Sequence, residues 1–265
     1  MSSIICFTSD FGLDDTWVGI CHAVILSACD SARIVDLSHG IRPYDVRKGA
    51  AVAAAGVYQL PGAIHLVVVD PGVGGPRRDL SIETVEGTRL VGPDNGILLP
   101  AAGRSGGIAR AVALSTGRGI EPSPTFRARD VLAPAAAALA CGARVTDLGD
   151  EVDASGLVAA PFGECRREES YVYGEVLEAD RFGSVRVNVP AEQVDELGLR
   201  AERLEVGLGH NTLSVPFGQT FSDVGEGEPV VLMDSSGWLT LSINQGSALD
   251  RYGVEIGTHV RLRAL

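Results

Sequence analysis

Several things that would each point to a definite class of protein are scarce or missing in this sequence. No stretch of its 265 residues approaches the ~20 consecutive apolar positions that a membrane helix needs, and the opening MSSIICFTSDFG has neither a basic start nor a long apolar run. A membrane span and a secretory leader are therefore not expected. Basic residues are few: 22 Lys and Arg against 34 Asp and Glu leave a net charge of −12. Nucleic acids and anionic membrane surfaces are held by positive patches, so neither is an expected partner. The five cysteines (Cys6, Cys21, Cys29, Cys141, Cys165) are an odd number without a CxxC pair. That argues against a disulfide framework or a Cys-rich zinc site and predicts reduced, mostly buried thiols in a cytoplasmic protein. There is no GxSxG elbow, no HExxH and no Gly-Lys-Ser/Thr to close a P-loop. His22, His65, His210 and His259 are scattered, with no carboxylate at metal spacing, so no metal is expected. His39, just after a strand, reads as a hydrogen-bonded structural residue.

What is present is a chain able to bury a core, 45% hydrophobic and 21% charged. Up to about residue 160, short β-like runs alternate with Ala-rich helical stretches. Ile4–Phe7, Ile34–Leu37 and the wholly apolar Ile64–Val69 predict strands, with shorter ones at Leu80–Thr84, Arg89–Val91 and Ala111–Leu114. Thr16–Ala28, behind Asp14 or Asp15 as N-cap, Val46–Leu60 and Asp130–Ala140 predict helices. After Pro161 the texture changes to seven short strands, Tyr171–Glu178, Ser184–Val189, Arg203–Val206, Thr212–Val215, Val230–Met233, Leu239–Ile243 and Thr258–Arg263. The single helical hint there is Ala191–Leu197. The reading is an α/β domain with an open, mostly parallel sheet over residues 1–163, then a small antiparallel β-barrel over 164–265.

The loop Asp70-Pro71-Gly72-Val73-Gly74-Gly75-Pro76-Arg77-Arg78 leaves the carboxyl end of the most apolar strand, where open α/β sheets place ligands. It lacks the third glycine and helix start of a dinucleotide fingerprint. Ser9-Asp10-Phe11-Gly12 repeats the arrangement after the first strand, and a carboxylate there suits a ribose diol. Both acids could equally be turn or cap residues. Gly92-Pro93-Asp94-Asn95-Gly96 reads as a structural turn.

These segments, with Val35-Asp36-Leu37-Ser38-His39, Thr125-Phe126, Arg129-Asp130, Asp180-Arg181-Phe182-Gly183, Thr220-Phe221-Ser222-Asp223 and Ser235-Ser236-Gly237, occur in one order along nearly the whole chain. Together they resemble the S-adenosyl-L-methionine hydroxide adenosyltransferase family, relatives of the fluorinating and chlorinating enzymes that attack the same substrate. The resemblance implies a homotrimer holding that substrate between the N-domain of one subunit and the C-domain of the next, with no cofactor. It implies that Asp10 binds the ribose hydroxyls and Tyr44 packs beside the sugar and adenine. Phe221 would wall the adenine and Asn244 meet its edge. Asp180 would meet the methionine ammonium, and Ser235 and Ser236 its carboxylate. Water would attack C5′ to give adenosine and L-methionine, handled in the family by an Asp, Arg and His.

Asp70 and Arg77 match the first two of those three. The family's Thr-Phe-His-Gly-Arg-Asp reads Thr125-Phe126-Arg127-Ala128-Arg129-Asp130 here, so the third catalytic position is Arg127, which cannot act as a base at neutral pH. Either Arg127 holds hydroxide electrostatically or it points away. Ser184 stands where many relatives have Asn near the methionine. An Arg beside Asp70 makes the carboxylate a poor base, so Arg77 is expected to activate water and Asp70 to orient it. Two other readings remain open: a halide-using enzyme, disfavoured by a carboxylate at position 70, and a protein that binds the adenosyl ligand without turning it over.

Overall fold

The computed structural model describes residues 3–115 and 123–265, and the chain divides into two compact units, Met1–Pro161 and Phe162–Leu265. In the first unit, seven strands form one sheet: β1 (Ile4–Ser9), β2 (Arg33–Ser38), β3 (Ile64–Val68), β4 (Asp79–Thr84), β5 (Arg89–Pro93), β6 (Ile108–Leu114) and β7 (Gly149–Glu151). Their order is β2-β1-β3-β5-β4-β6-β7. The β2-β1-β3-β5 core is parallel, as expected, and antiparallel pairings carry the sheet on through β4, β6 and β7.

Alternation along the central strands explains the layers. Ile5, Phe7, Ile64, Leu66 and Val68 share one core with Val18, Cys21 and Ile25 of helix α1 (Trp17–Ala28). The opposite parity meets α2 (Val46–Gln59): a Cβ at Gly56 would touch Leu37 and the His65 ring, and one at Gly49 would clash with Ile97. Glycine and alanine let this helix lie close to the sheet. A short α3 (Leu99–Gly103) follows β5. The predicted third helix opens instead as a π-helical turn, Ala128–Leu132, before α4 (Ala133–Ala140) joins the α1 side. Asp14 and Asp15 do not cap α1. Thr16 holds the N-cap position without a side-chain bond, so the expected cap is corrected.

Cysteine chemistry is corrected as well. Cys29, just past α1, and Cys141, just past α4, form a disulfide across 112 residues of sequence. Both helices pack on the same face of the sheet, and their C-terminal ends meet there. Cys6, Cys21 and Cys165 are free, and burial raises the first two thiols to about 11 and about 12.

The second unit is an antiparallel, nearly closed barrel: β8 (Arg166–Glu168), β9 (Tyr171–Ala179), β10 (Val185–Pro190), β11 (Arg203–Leu208), β12 (Asn211–Pro216), β13 (Pro229–Met233), β14 (Trp238–Ile243) and β15 (His259–Ala264). The path runs β12-β11-β15-β9-β10-β14-β13, with β8 added beside β9, and a bridge between Phe217 and Val231 brings its ends together. Val176, Val187, Leu204, Val206, Leu241 and Leu262 fill the interior. The expected helix at Ala191–Leu197 is a single 3-10 turn, Ala191–Gln193. A short α5 (Ala248–Tyr252) went unpredicted although its signals are present: Ser247 accepts from the Asp250 N–H, and left-handed Gly253 ends it. Among the described residues no helix is long and apolar enough to cross a membrane.

Candidate functional site

The chain leaves β1 toward β2 on one side and reaches β3 on the other, so the strand order reverses between β1 and β3. The carboxyl ends of such neighbours open the crevice in which α/β sheets bind ligands. Asp10 follows β1 there, and the Asp70 loop starts two residues after β3. The antiparallel β4 begins at the same end, with Asp79 opposite Pro93 of β5. Distant parts of the chain thus deliver carboxylates to one rim of one sheet.

Asp70 and Arg77 meet across the glycine loop. Arg77 Nε donates to Asp70 Oδ1 at 3.0 Å and Nη2 donates to Oδ2, a bidentate fork. The Gly72 N–H also donates to Oδ1, at 3.2 Å, closing a turn on the Asp70 side chain. Gly74 is left-handed (φ 80°) and a Cβ there would come within 2.8 Å of the Pro124 carbonyl, so the hairpin of the loop requires glycine.

Reasoning from sequence missed Asp79, whose side chain is 0% exposed. Its Oδ1 accepts from Arg77 Nη1 and its Oδ2 from Arg127 Nε, with Arg127 Nη2 ion-paired to the same oxygen. Asp70, Arg77, Asp79 and Arg127 therefore form one alternating chain of charges. A signal existed: an arginine aimed inward at 127 needs a buried counter-charge. Burial works against the charge on Arg77, but the bonds and charges of Asp70 and Asp79 prevail and hold its guanidinium above the ordinary value. Four of the five Arg77 N–H groups are engaged, the fourth with the Arg78 carbonyl at 3.1 Å, and one Nη2 hydrogen is left over. Arg127 keeps Nη1 unengaged among the described residues. Ala128, beside it, is buried.

Asp10 Oδ2 accepts from the Tyr44 N–H at 2.8 Å, and Tyr44 adopts φ 71° with its ring exposed. A non-glycine residue in that region is held by its surroundings, here by Asp10. The carboxylate expected at a ribose thus also fixes the aromatic expected beside it. Asp94 is structural: buried, it bonds Arg78 Nε at 2.7 Å and the Val158 N–H at 2.9 Å.

In the barrel, Asp180 Oδ1 accepts from the Phe182 and Ser184 N–H groups at 2.9 and 3.0 Å, shaping the β9–β10 hairpin and burying Ser184. Register sets this hairpin beside the end of β14, next to Asn244. Asn244 Nδ2 donates to the Val224 carbonyl at 2.8 Å and pins the loop that carries the exposed Phe221. Ser235 and Ser236 occupy the turn before β14, at its opposite end, organised by Asp234. Arg186 bonds both Glu178 and Asp234 and so couples the base of the Asp180 hairpin to that turn. The unit brings Asp180, Ser184, Phe221 and Asn244 toward one end, with the two serines linked through Arg186.

Comparison with known proteins places the chain among relatives of one family. Residues 5–149 match the model of the SAM hydroxide adenosyltransferase N-terminal domain and residues 174–261 that of the C-terminal domain. An (R)-S-adenosyl-L-methionine hydrolase from Salinispora tropica is 42% identical, covering 98% of this chain and 97% of its own, and one from Thermus thermophilus is 38% identical, covering 97% and 98%. A fluorinase from an Actinoplanes species is more distant at 28%, covering 97% and 96%. The crystal structure of an uncharacterized conserved protein from Thermotoga maritima superimposes with a TM-score of 0.87 at 31% identity, covering 98% of this chain and 99% of that one.

Proposed function

Because the chain belongs to the SAM hydroxide adenosyltransferase family, we propose that it hydrolyses S-adenosyl-L-methionine, water attacking ribose C5′ to give adenosine and L-methionine. The observation that carries this reading is the Asp70–Arg77 fork at the β3 corner, tied through Asp79 to Arg127. Relatives at 38–42% identity bear the name of that activity.

The substrate is a sulfonium cation. As the water oxygen bonds to C5′, the C–S bond breaks, its electron pair goes to sulfur, and methionine leaves as a neutral thioether. The water then gives up a proton to solvent or a carboxylate. Both Asp70 oxygens already accept from Arg77, so Asp70 orients the water more than it abstracts a proton. The remaining Nη2 hydrogen of Arg77 and the Nη1 group of Arg127 supply donors for the developing hydroxide. Positioning in a dry site is the main contribution. Asp10 and Tyr44 hold the ribose side. Asp180, Ser184, Ser235 and Ser236 serve the methionine, and Phe221 and Asn244 the adenine. The protein works without cofactor or metal in the reaction, in the cytoplasm, as a homotrimer whose neighbouring subunits each supply part of the site.

The test is incubation with S-adenosyl-L-methionine, with and without chloride. Adenosine and methionine in equal amounts support the reading. 5′-Chloro-5′-deoxyadenosine would assign a halogenase, and unchanged substrate a binding protein. Asp70→Ala and Arg77→Ala should each lower kcat roughly 10²- to 10³-fold, the scale for loss of one aimed electrostatic group, with far smaller changes in KM.

A further inference from the structure

Three side chains that play no part in this chemistry meet where α1 crosses the edge strand β2. His22 Nε2 lies 2.9 Å from Asp36 Oδ1, and His39 Nε2 lies 3.0 Å from the same oxygen. One donor atom from each residue falls within 4.8 Å of the others. The two imidazoles differ in how they meet the carboxylate. His22 is aligned for a hydrogen bond. His39 is not: its side chain is 2% exposed and its Nε2, despite the short distance, has no hydrogen-bond partner.

The rest of His39 is firmly anchored. Its Nδ1 sits 2.7 Å from the buried Ser9 Oγ, its carbonyl accepts from the Gly12 N–H at 2.9 Å, and the Phe7 ring packs edge-on at 4.7 Å. With Nδ1–H donating to Ser9, Nε2 carries a lone pair directed toward the space that Asp36 and His22 border. In this tautomer a lone pair and a carboxylate oxygen 3.0 Å apart repel unless a cation lies between them; in the other, the Nε2–H misses hydrogen-bond alignment with Asp36. A structural His–Asp hydrogen bond explains His22 and leaves the buried Nε2 of His39 unsatisfied, an unfavourable state for a buried polar atom. A shared cation accounts for both.

We propose that His22, Asp36 and His39 bind a divalent transition-metal ion of the Zn²⁺ type, with solvent completing its coordination. Two imidazoles and one carboxylate suit zinc and its neighbours, whereas Ca²⁺ and Mg²⁺ favour all-oxygen sets. Bonds of about 2.0–2.1 Å in a tetrahedron put donors about 3.3 Å apart, so small rotations from the observed 2.9 and 3.0 Å would admit the ion. Ser9 plays the orienting part that a hydrogen-bond partner on the far ring nitrogen plays for metal-bound histidine. His22 and Asp36 are 29% and 39% exposed, leaving an open side toward water. The ion would fasten the edge strand to α1, and it has no role in the hydrolysis.

The full chain, freed of metal with a chelator, is titrated with ZnCl₂ by calorimetry and with Co²⁺ by visible absorption. One equivalent should bind, Co²⁺ should give the intense d–d bands of a tetrahedral site and be displaced by Zn²⁺, and saturating Zn²⁺ should raise Tm. His22→Gln and Asp36→Asn, both at half-exposed positions that the fold tolerates, should each weaken binding at least about 100-fold, and Ser9→Ala about 10- to 100-fold. No saturable binding, or equal affinity in His22→Gln, Asp36→Asn and the parent, would overturn the assignment. Neither result depends on whether S-adenosyl-L-methionine is hydrolysed.

Discussion

Asp79→Asn isolates the buried centre of the charge chain. Asparagine keeps the shape of the side chain but offers one acceptor oxygen and turns the other position into a donor. Either Arg77 or Arg127 must then face an amide NH₂, and the cluster gains an uncompensated positive charge. Removing one partner from a buried ion pair costs roughly 3–5 kcal/mol. Asp79 is fully buried while the guanidiniums are 11% and 22% exposed and can turn partly toward water. The lower end therefore applies: about 3 kcal/mol, on the order of a hundredfold in the folding equilibrium. Urea unfolding of the full chain should show a lower midpoint with unchanged slope. Adenosine release should show kcat reduced about 10- to 100-fold, because Arg77 loses the anchor that aims it, with a smaller change in KM. Arg127→Met, which keeps the Asp79–Arg77 contact, should cost less. The double variant should cost less than the sum of the singles by about 1–3 kcal/mol, since removing Arg127 relieves the excess charge. Stability of Asp79→Asn within 0.5 kcal/mol of the parent, or strictly additive effects, would refute the reasoning.

Three other outcomes are expected. Arg127→His should lower turnover, because imidazole cannot reproduce the Nε and Nη2 contacts to Asp79; a rise would show that arginine is the handicap at this position. His65, enclosed under α2, has a pKa lowered by burial from 6.5 to about 4, so the unfolded chain binds the extra proton between those values and stability should be full above pH 6.5 and decline toward pH 4. That loss is about 3 kcal/mol, and urea midpoints of His65→Gln should be flatter over the same window; parallel curves would exclude His65 as the cause. Closing a loop of 112 residues, the Cys29–Cys141 bond should contribute about 4–5 kcal/mol on the chain-entropy estimate, so Cys141→Ser should melt earlier than the oxidised parent and together with the reduced one. A difference that persists under reductant would assign the effect to packing.

Much of the architecture was legible because it rests on local pattern. The apolar run at Ile64–Val69 marks a strand buried on both faces, and turn residues such as Asp180–Gly183 punctuate the barrel hairpins. The misses also have local reasons. Ala128–Leu132 has helical composition, and only packing decides that it winds as a π-turn. The Ala191–Leu197 stretch has helical spacing, yet the β10–β11 connection lets only one turn form. At the site, Asp70 and Arg77 stood out because one glycine loop carries both.

Taken alone, the sequence determined most of the strands and helices and which loops end at the carboxyl rim of the sheet, since these depend on residues close together in the chain, and the family, through short motifs in one order along it. The tertiary structure alone decided which distant groups would meet. Asp79 finds Arg127 across 48 residues, His22 finds Asp36 and His39 between a helix and a strand, and Cys29 finds Cys141 where two helices end side by side. Those encounters follow from strand order and helix packing, which are set by burial summed over the whole unit, and no spacing along the chain encodes them.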